Sequence, residues 1–557
     1  MTKKLTEFLK RKELLIPLFL STISFIIGLV SLHLFHFIGS DGGGDGVVYA
    51  ISGMNLFSGR GFSFHGGPQL IHPPLYPILI GIFWLLTHNL EFSGQMVSII
   101  ATALLVIPLY YLAKNMYGRR IGFLTAVFAI VCPPLVFAST EVRCESLYAL
   151  LMVGSISLGW KALHSKNLLW ALLTGLVIGL AFLTHPIGLI FAPIFVFLFL
   201  LSKFFSSRLS SKLVLMKIAA LLASFVLVSM PYWIFLHKHT GRWVLSAHAS
   251  YIEFARVKSL SGDSEKDTFI LFREPEHLRY TGNESSQTQE GMLRYVVSHP
   301  GRVVGTIYKN LSMVYPRIAK DAAHLKIPPS ILKASLLFVF LLILIGLVRS
   351  IWKRRLTSKE LYLAIMLSSA AVFLIFHIEA RYFFPYLPII ILGMAKLTID
   401  FQDWINEKFH DFNRAFRQVL GWFLPLVLFL GMSVSSTIII VKKENLAPYE
   451  YKILGQWMRQ NIENIEDKVV MLRKLGTSFY AGSKWDALYY GDYPGLLEYA
   501  KSRGVDYLVI DEYAIPRSRP QFAFLLNYED KHPGLESVHI EEYRGRKIIL
   551  YRVKGDS

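Results

Sequence analysis

The residues able to do acid–base or phosphate chemistry gather in four short stretches, each at the rim of a long apolar run. SDGGGDGVVYAISGMNLFSGRGF (40–62) sets Asp41 and Asp45 among glycines, with Tyr49 one helical turn beyond Asp45 on the same face. Beyond it come His65 and His72, the latter opening HPPLYP. STEVRCE (139–145) supplies Glu141, Arg143 and Glu145, THP supplies His185, and HIEARYFFPYLP supplies His377, Glu379 and Arg381. A carboxylate can take the proton of an acceptor hydroxyl. Neighbouring cations can hold the charge that develops on a departing phosphate. Taken singly, each residue also reads as a solvated loop group or an interfacial anchor, and Arg381 at a helix end fits snorkelling equally well. His185, ahead of a proline, reads as a loop residue before it reads as a ligand. Glycines 42, 43, 44 and 46 fit either a flexible turn or clearance for a bulky substrate. The set stands out by its confinement to one side, because the loops of the other side hold little besides Lys and Arg.

Positioning such groups falls to membrane helices. The chain has 557 residues, 53% hydrophobic and 17% charged, with a mean hydropathy of +0.44. A soluble fold cannot cover that much apolar surface. Apolar runs of roughly 18–25 residues recur, the length that spans a hydrocarbon core as helix. The net charge of +19 comes from short basic loops rather than one basic face, so topology accounts for it and nucleic acid is not expected as a partner. Cys132 and Cys144 are the only cysteines, too few for a disulfide framework or a structural zinc site. The sequence has no repeats, Walker loop or GxGxxG motif, which argues against an ATP-driven pump.

Lys3, Lys4, Lys10, Arg11 and Lys12 keep the N-terminus cytoplasmic. The apolar run that follows is too long for a signal-peptide core and reads as an uncleaved first helix. Spans are expected near 14–38, 94–113, 121–139, 146–160, 168–184, 187–202, 216–236, 332–348, 360–377, 382–399 and 419–441. That makes a polytopic α-helical membrane protein of about 11 spans with every strongly basic short loop inside. PPLYPILIGIFWLLT (73–87) is short for a span and reads as a proline-launched helix in the outer interface. Residues 1–441 then form the membrane domain, with outer loops at about 39–93 and 237–330. Residues 442–557 read as a small extracytoplasmic α/β domain. There KVVMLRK and VDYLVID are strands, YPGLLEYAKSRG a helix with a C-cap glycine, and VHIEEYRGRKIILYRV a hairpin.

The order of these pieces resembles a family. A basic N-terminus and one span lead to Asp-x-x-x-Tyr (Asp45, Tyr49), then NLFSGRGF and PPLYPILIG. YLAKNMYGRRIGFLTAVFAIVCPPLVFASTEVRCESLYALL and a late ARYFFPYLPIIILG follow. This resembles the GT-C superfamily of integral membrane glycosyltransferases, in the branch of the protein O-mannosyltransferases and the lipid A aminoarabinose transferase. The likeness covers residues 10–200 well and 377–400 less closely.

The resemblance implies transfer of a monosaccharide from a polyprenyl-phosphate carrier to a protein, lipid or envelope-glycan acceptor at the outer face of the cytoplasmic membrane. By position, Asp45 matches the family's first-loop acid, which acts as catalytic base or orients the acceptor. Glu145 matches the second-loop acid, and Arg381 sits where a basic residue approaches the carrier phosphate. The chain departs from the aminoarabinose branch in having Ile71 and His72 before the Pro-Pro, where those relatives carry an acidic–basic pair; His72 stands in for their phosphate-binding Lys. The paired acids common in the branch are also absent, since Gly46 follows Asp45. The expected site is therefore Asp45 and Glu145 as catalytic acids, with Tyr49, His72, Arg143, His185 and Arg381 binding substrate. No metal is expected, and no cofactor beyond the lipid-linked sugar donor. A lipid or solute flippase is the rival reading, and a non-catalytic assembly protein the third. Spans nearly free of charge disfavour the flippase.

Overall fold

The computed structural model describes residues 2–39, 42–205, 210–247, 300–301, 304–305, 307–310, 312, 358–372 and 380–554. Asp41, His377, Glu379, most of the 237–330 loop and the expected span 332–348 lie outside the described residues. Among the described residues, seven helices are long and apolar enough to cross a membrane. They are Leu14–Leu34, Leu90–Tyr117, Glu145–His164, Pro186–Lys203, Ser211–Thr240, Arg381–Lys408 and Arg414–Lys442.

Helix α1 (Thr2–Leu34) ends four residues earlier than its apolar run, and Phe35, Phe37 and Ile38 continue as a fully buried segment. Helix α2 (Gly44–Phe57) carries Asp45 in its first turn. A two-stranded hairpin, β1 (Ser63–Phe64) and β2 (Gly67–Pro68), leads to α3 (Leu75–Thr87). With 13 residues, α3 is only about 20 Å long and cannot cross a hydrocarbon core. Helix α4 (Leu90–Tyr117) is a full span.

The span expected at 121–139 is broken into α5 (Arg119–Ile130) and α6 (Pro133–Ala138). Cys132 is extended (φ −71°, ψ 118°), as a residue ahead of proline prefers, and the helix stops there. Both cysteines are free and buried. Helix α7 (Glu145–His164) and the short apolar α8 (Leu169–Phe182) follow. A 3₁₀ turn (Pro186–Ile190) then leads into α9 (Phe191–Phe205) and α10 (Ser211–Thr240). After the gap come α11 (Ser358–Ser368), a 3₁₀ turn (Ala380–Tyr386), α12 (Leu387–Lys408) and α13 (Arg414–Leu446).

The chain ends in a five-stranded sheet of order β4-β3-β5-β7-β6. β3 (Val469–Leu472) runs parallel to both β4 (Lys484–Ala487) and β5 (Tyr507–Asp511). β7 (Arg546–Val553) is antiparallel to β5 and to β6 (Leu535–Tyr543). Arg544 and Gly545 both have positive φ (52° and 74°), the conformation that lets a two-residue turn follow the twist of its strands. Strand β4, four residues long, has no counterpart in the sequence reading.

Helices α14 (Glu450–Asn461) and α15 (Gly476–Ala481) fasten this sheet to the segment between α1 and α2. Tyr449 and Tyr480 accept from His36 N and Ile38 N, each at 2.9 Å, and Gly476 N donates to Gly42 O at 3.0 Å. Lys452 Nζ donates to His36 O (2.7 Å) and to Glu91 (3.1 Å), while Tyr480 Oη donates to Glu91 at 2.8 Å. Residues 36–38 and Gly42 are thus held by the terminal domain on one side, while Gln95 of α4 donates to Phe37 O (3.2 Å).

Candidate active site

Asp45 owes its place to backbone conformation. Gly43, which precedes α2, has φ 89°, a left-handed value that lets the chain turn sharply into the helix. Gly46 then presses the first turn against neighbouring backbone, where a Cβ would meet Val142 O at 2.9 Å and Ile38 O at 3.0 Å. No second acid fits there, a physical reason for the missing acid–acid pair.

Four separate elements meet at the Asp45 carboxylate. Arg381, from the 3₁₀ turn before α12, donates to Asp45 Oδ2 at 2.6 Å. The same nitrogen lies 3.9 Å from Glu145 Oε1 at the start of α7. His72 Nε2, from the loop before α3, is 4.0 Å from Asp45 Oδ1. Asp45 keeps 34% of its side chain exposed, against 24% for Arg381 and 13% for Glu145 and for His72. The acid is therefore the open end of the cluster.

The remaining expected residues form the surround. Tyr49 is buried, donates to Cys144 Sγ at 3.3 Å, and packs edge-on against His72 (ring centroids 4.7 Å). Arg143 Nε is 3.4 Å from the buried Glu141, which ties the STEVRCE turn together while leaving Arg143 within electrostatic reach of Asp45. His185 caps the turn Pro186–Ile190 through Nδ1 and lies against Tyr148 (5.2 Å) and Tyr382 (6.5 Å). Tyr382 also stacks its ring under the Arg381 guanidinium, 5.5 Å from the centroid. Sequence reasoning missed that supporting ring, although it adjoins Arg381 in the chain. It also missed the contribution of the terminal sheet, for which no local signal exists.

Electrostatics set the resting protonation. Burial alone would raise the Asp45 carboxyl, but Arg381, His72 and Arg143 outweigh it and hold it well below the usual carboxylate range. Burial lowers His72, Asp45 partly opposing this. Burial, with Arg381 and His72 adding to it, pushes His185 down to about 3. Burial, with Cys144 and Asp45 nearby, raises Tyr49 well above a free phenol. At neutral pH both histidines thus meet a ligand as uncharged donors, and Arg381 is the cation in contact with Asp45.

A helical membrane body joined to a strand-containing terminal domain is the fold of solved oligosaccharyltransferase and ArnT structures. Residues 71–234 match the family model described as dolichyl-phosphate-mannose-protein mannosyltransferase. Among solved structures, ArnT from Cupriavidus metallidurans bound to undecaprenyl phosphate is similar, with TM-score 0.56 and 12% identity over 96% of this chain and 97% of that one. The oligosaccharyltransferase of Archaeoglobus fulgidus, tethered to an acceptor peptide, has TM-score 0.56 and 13% identity over 88% of this chain and 69% of that one. The oligosaccharyltransferase AglB from Archaeoglobus fulgidus, in complex with an inhibitory peptide and a dolichol-phosphate, has TM-score 0.51 and 13% identity over 88% of this chain and 69% of that one. No curated protein matches the sequence.

Proposed function

We propose that this chain is a glycosyltransferase that moves a hexosyl or pentosyl unit from a polyprenyl-phosphate carrier to an acceptor hydroxyl at the outer face of the cytoplasmic membrane. The observation that supports this most directly is the Asp45–Arg381 pair on the first outer loop of a GT-C fold. Undecaprenyl phosphate bound to ArnT, and dolichol-phosphate with AglB, indicate the carrier class. The acceptor is a protein, lipid or envelope glycan.

The geometry suggests how the site turns on. At rest Arg381 neutralises Asp45, and a carboxylate so held is a weak base. A carrier phosphate, doubly acceptor-rich and anionic, competes for the same guanidinium. Once Arg381 turns to the phosphate, Asp45 loses its main counter-charge and becomes more basic. It then takes the proton of the acceptor hydroxyl while that oxygen bonds to the anomeric carbon. The anomeric C–O bond to phosphate breaks, and the polyprenyl phosphate leaves with the electron pair, held by Arg381, with Arg143, His72 and His185 close by. Glu145, 3.9 Å from Arg381, gives the guanidinium a second partner during the exchange.

The test is purified protein in lipid vesicles incubated with labelled polyprenyl-phosphate sugars. Release of free carrier phosphate with label moved to an acceptor or to water is expected, and Asp45→Asn should lower it by about 10²–10⁴-fold. Movement of intact labelled lipid between leaflets without cleavage would instead establish the flippase reading.

A further inference from the structure

About 30 Å along α4 from the Asp45 cluster, at the opposite end of the bundle, a cavity of about 660 Å³ opens between α4, α5, α11 and α12. Its floor is apolar, made by Met116, Ile121 and Ile399, each less than a tenth exposed. One wall is the Tyr117 ring, clasped between the ammonium groups of Lys359 and Lys396, each 5.4 Å from the centroid. The Tyr117 hydroxyl donates to Glu360 (3.1 Å) and Lys396 donates to Asp400 (2.6 Å), so this wall is fixed by its own partners.

The rim differs. Arg119 and Arg120, consecutive and exposed residues at the start of α5, line the cavity together with Asp403, and among the described residues neither guanidinium has a carboxylate within 4.0 Å. Both arginines are exposed, and both border a cavity with an apolar floor and an aromatic wall. A permanently charged planar fork matches phosphate oxygens two at a time. An apolar floor beneath it suits the hydrocarbon end of an amphiphile at the depth where a helix end meets headgroups.

We propose that this cavity binds a phosphate-bearing anionic group, its oxygens on Arg119 and Arg120. The supporting chemistry is shared by an anionic lipid headgroup and a soluble phosphate compound, and the experiment separates them. The full chain, purified in phosphatidylcholine nanodiscs doped with phosphatidylglycerol, is released into the gas phase and its retained lipids counted by native mass spectrometry. Phosphatidylglycerol should be retained over phosphatidylcholine, whose phosphate is screened by its own choline. Retention should fall at least about tenfold in Arg119→Ala/Arg120→Ala, which removes both guanidinium contacts. Arg119→Lys/Arg120→Lys, which keeps the charge and the topology signal, should recover part of the preference. Displacement of the lipid by millimolar inorganic phosphate would assign the site to a soluble phosphate compound; resistance to it would assign a lipid. Equal retention by the wild type and the double alanine variant, with both thermally folded, overturns the proposal. The readout does not depend on glycosyl transfer.

Discussion

At the residue scale the site turns on one contact, Arg381 to Asp45 at 2.6 Å. Asp45→Asn removes the proposed base and should lower transfer by about 10²–10⁴-fold in labelled-donor turnover. Arg381→Gln should raise the donor KM more than it lowers the maximal rate, and it should move the acidic limb of the pH–rate profile upward. The direction follows from the removed partner: with Arg381 gone, the strongest influence lowering the Asp45 carboxyl is lost. The same linkage acts on stability. An acid whose folded pKa is depressed contributes stability above its unfolded value, near 3.8, and loses that contribution as the pH falls. Wild type should therefore unfold at a higher temperature than Asp45→Asn at pH 7, with the gap closing below about pH 4.

At the element scale, the first turn of α2 decides where the acid points. Gly46 has backbone oxygens of Val142 and Ile38 within 3.0 Å of where a Cβ would sit. Gly46→Ala should push α2 off that surface, lowering the melting temperature and reducing transfer together, whereas Gly59→Ala in the exposed turn after α2 should leave transfer intact. The helices that frame the site were legible because hydropathy and proline placement are local. Thus α2, the short α3 and the spans at α4, α7 and α10 lie close to the expected positions, whereas the segment expected at 168–184 is the 14-residue α8, shorter than a span. The 121–139 segment was misread as continuous because its mean hydropathy hides the Cys132–Pro133 break. The early end of α1 was hidden for the opposite reason, since Phe35 and Phe37 are apolar to pack against the terminal domain rather than to span lipid.

At the scale of the whole molecule, the terminal sheet acts as a clamp on the loop that carries Asp45. Tyr480 joins Ile38 N and Glu91, and Lys452 joins His36 O and Glu91, on either side of that loop. Tyr480→Phe deletes both hydroxyl contacts and leaves Ile38 N and Glu91 short of partners. It should cost about 1–3 kcal/mol in unfolding free energy, and transfer should fall through loss of alignment rather than of donor binding. A second test concerns the interior of the clamp. Glu450 is fully buried with Arg546 at 3.4 Å; burial raises its carboxyl to about 7, with Arg546 opposing and Asp511 and Glu512 adding to the rise. A raised acid favours the folded state while protonated, so its contribution is lost as the pH climbs from about 4.5 towards 7. Glu450→Gln should accordingly be more stable than wild type at pH 8 and gain nothing at pH 4, as measured by thermal unfolding across that range.

The sequence by itself determined the membrane character, the short helices after the first span, most of the terminal strands and the candidate acid, because periodicity, hydropathy and turn chemistry act over a few residues. The partners of that acid were named one by one but not as a set. Only the tertiary structure decided that Asp45, His72, Glu145 and Arg381 converge within 4.0 Å of one another's charges in a chain of contacts. It likewise decided that the terminal sheet grips the loop beneath them. Residues 45 and 381 are brought together by helix packing across the bundle, and 42 and 476 by a backbone hydrogen bond. Contacts over such separations depend on how whole helices and sheets pack, which no short window of the sequence encodes.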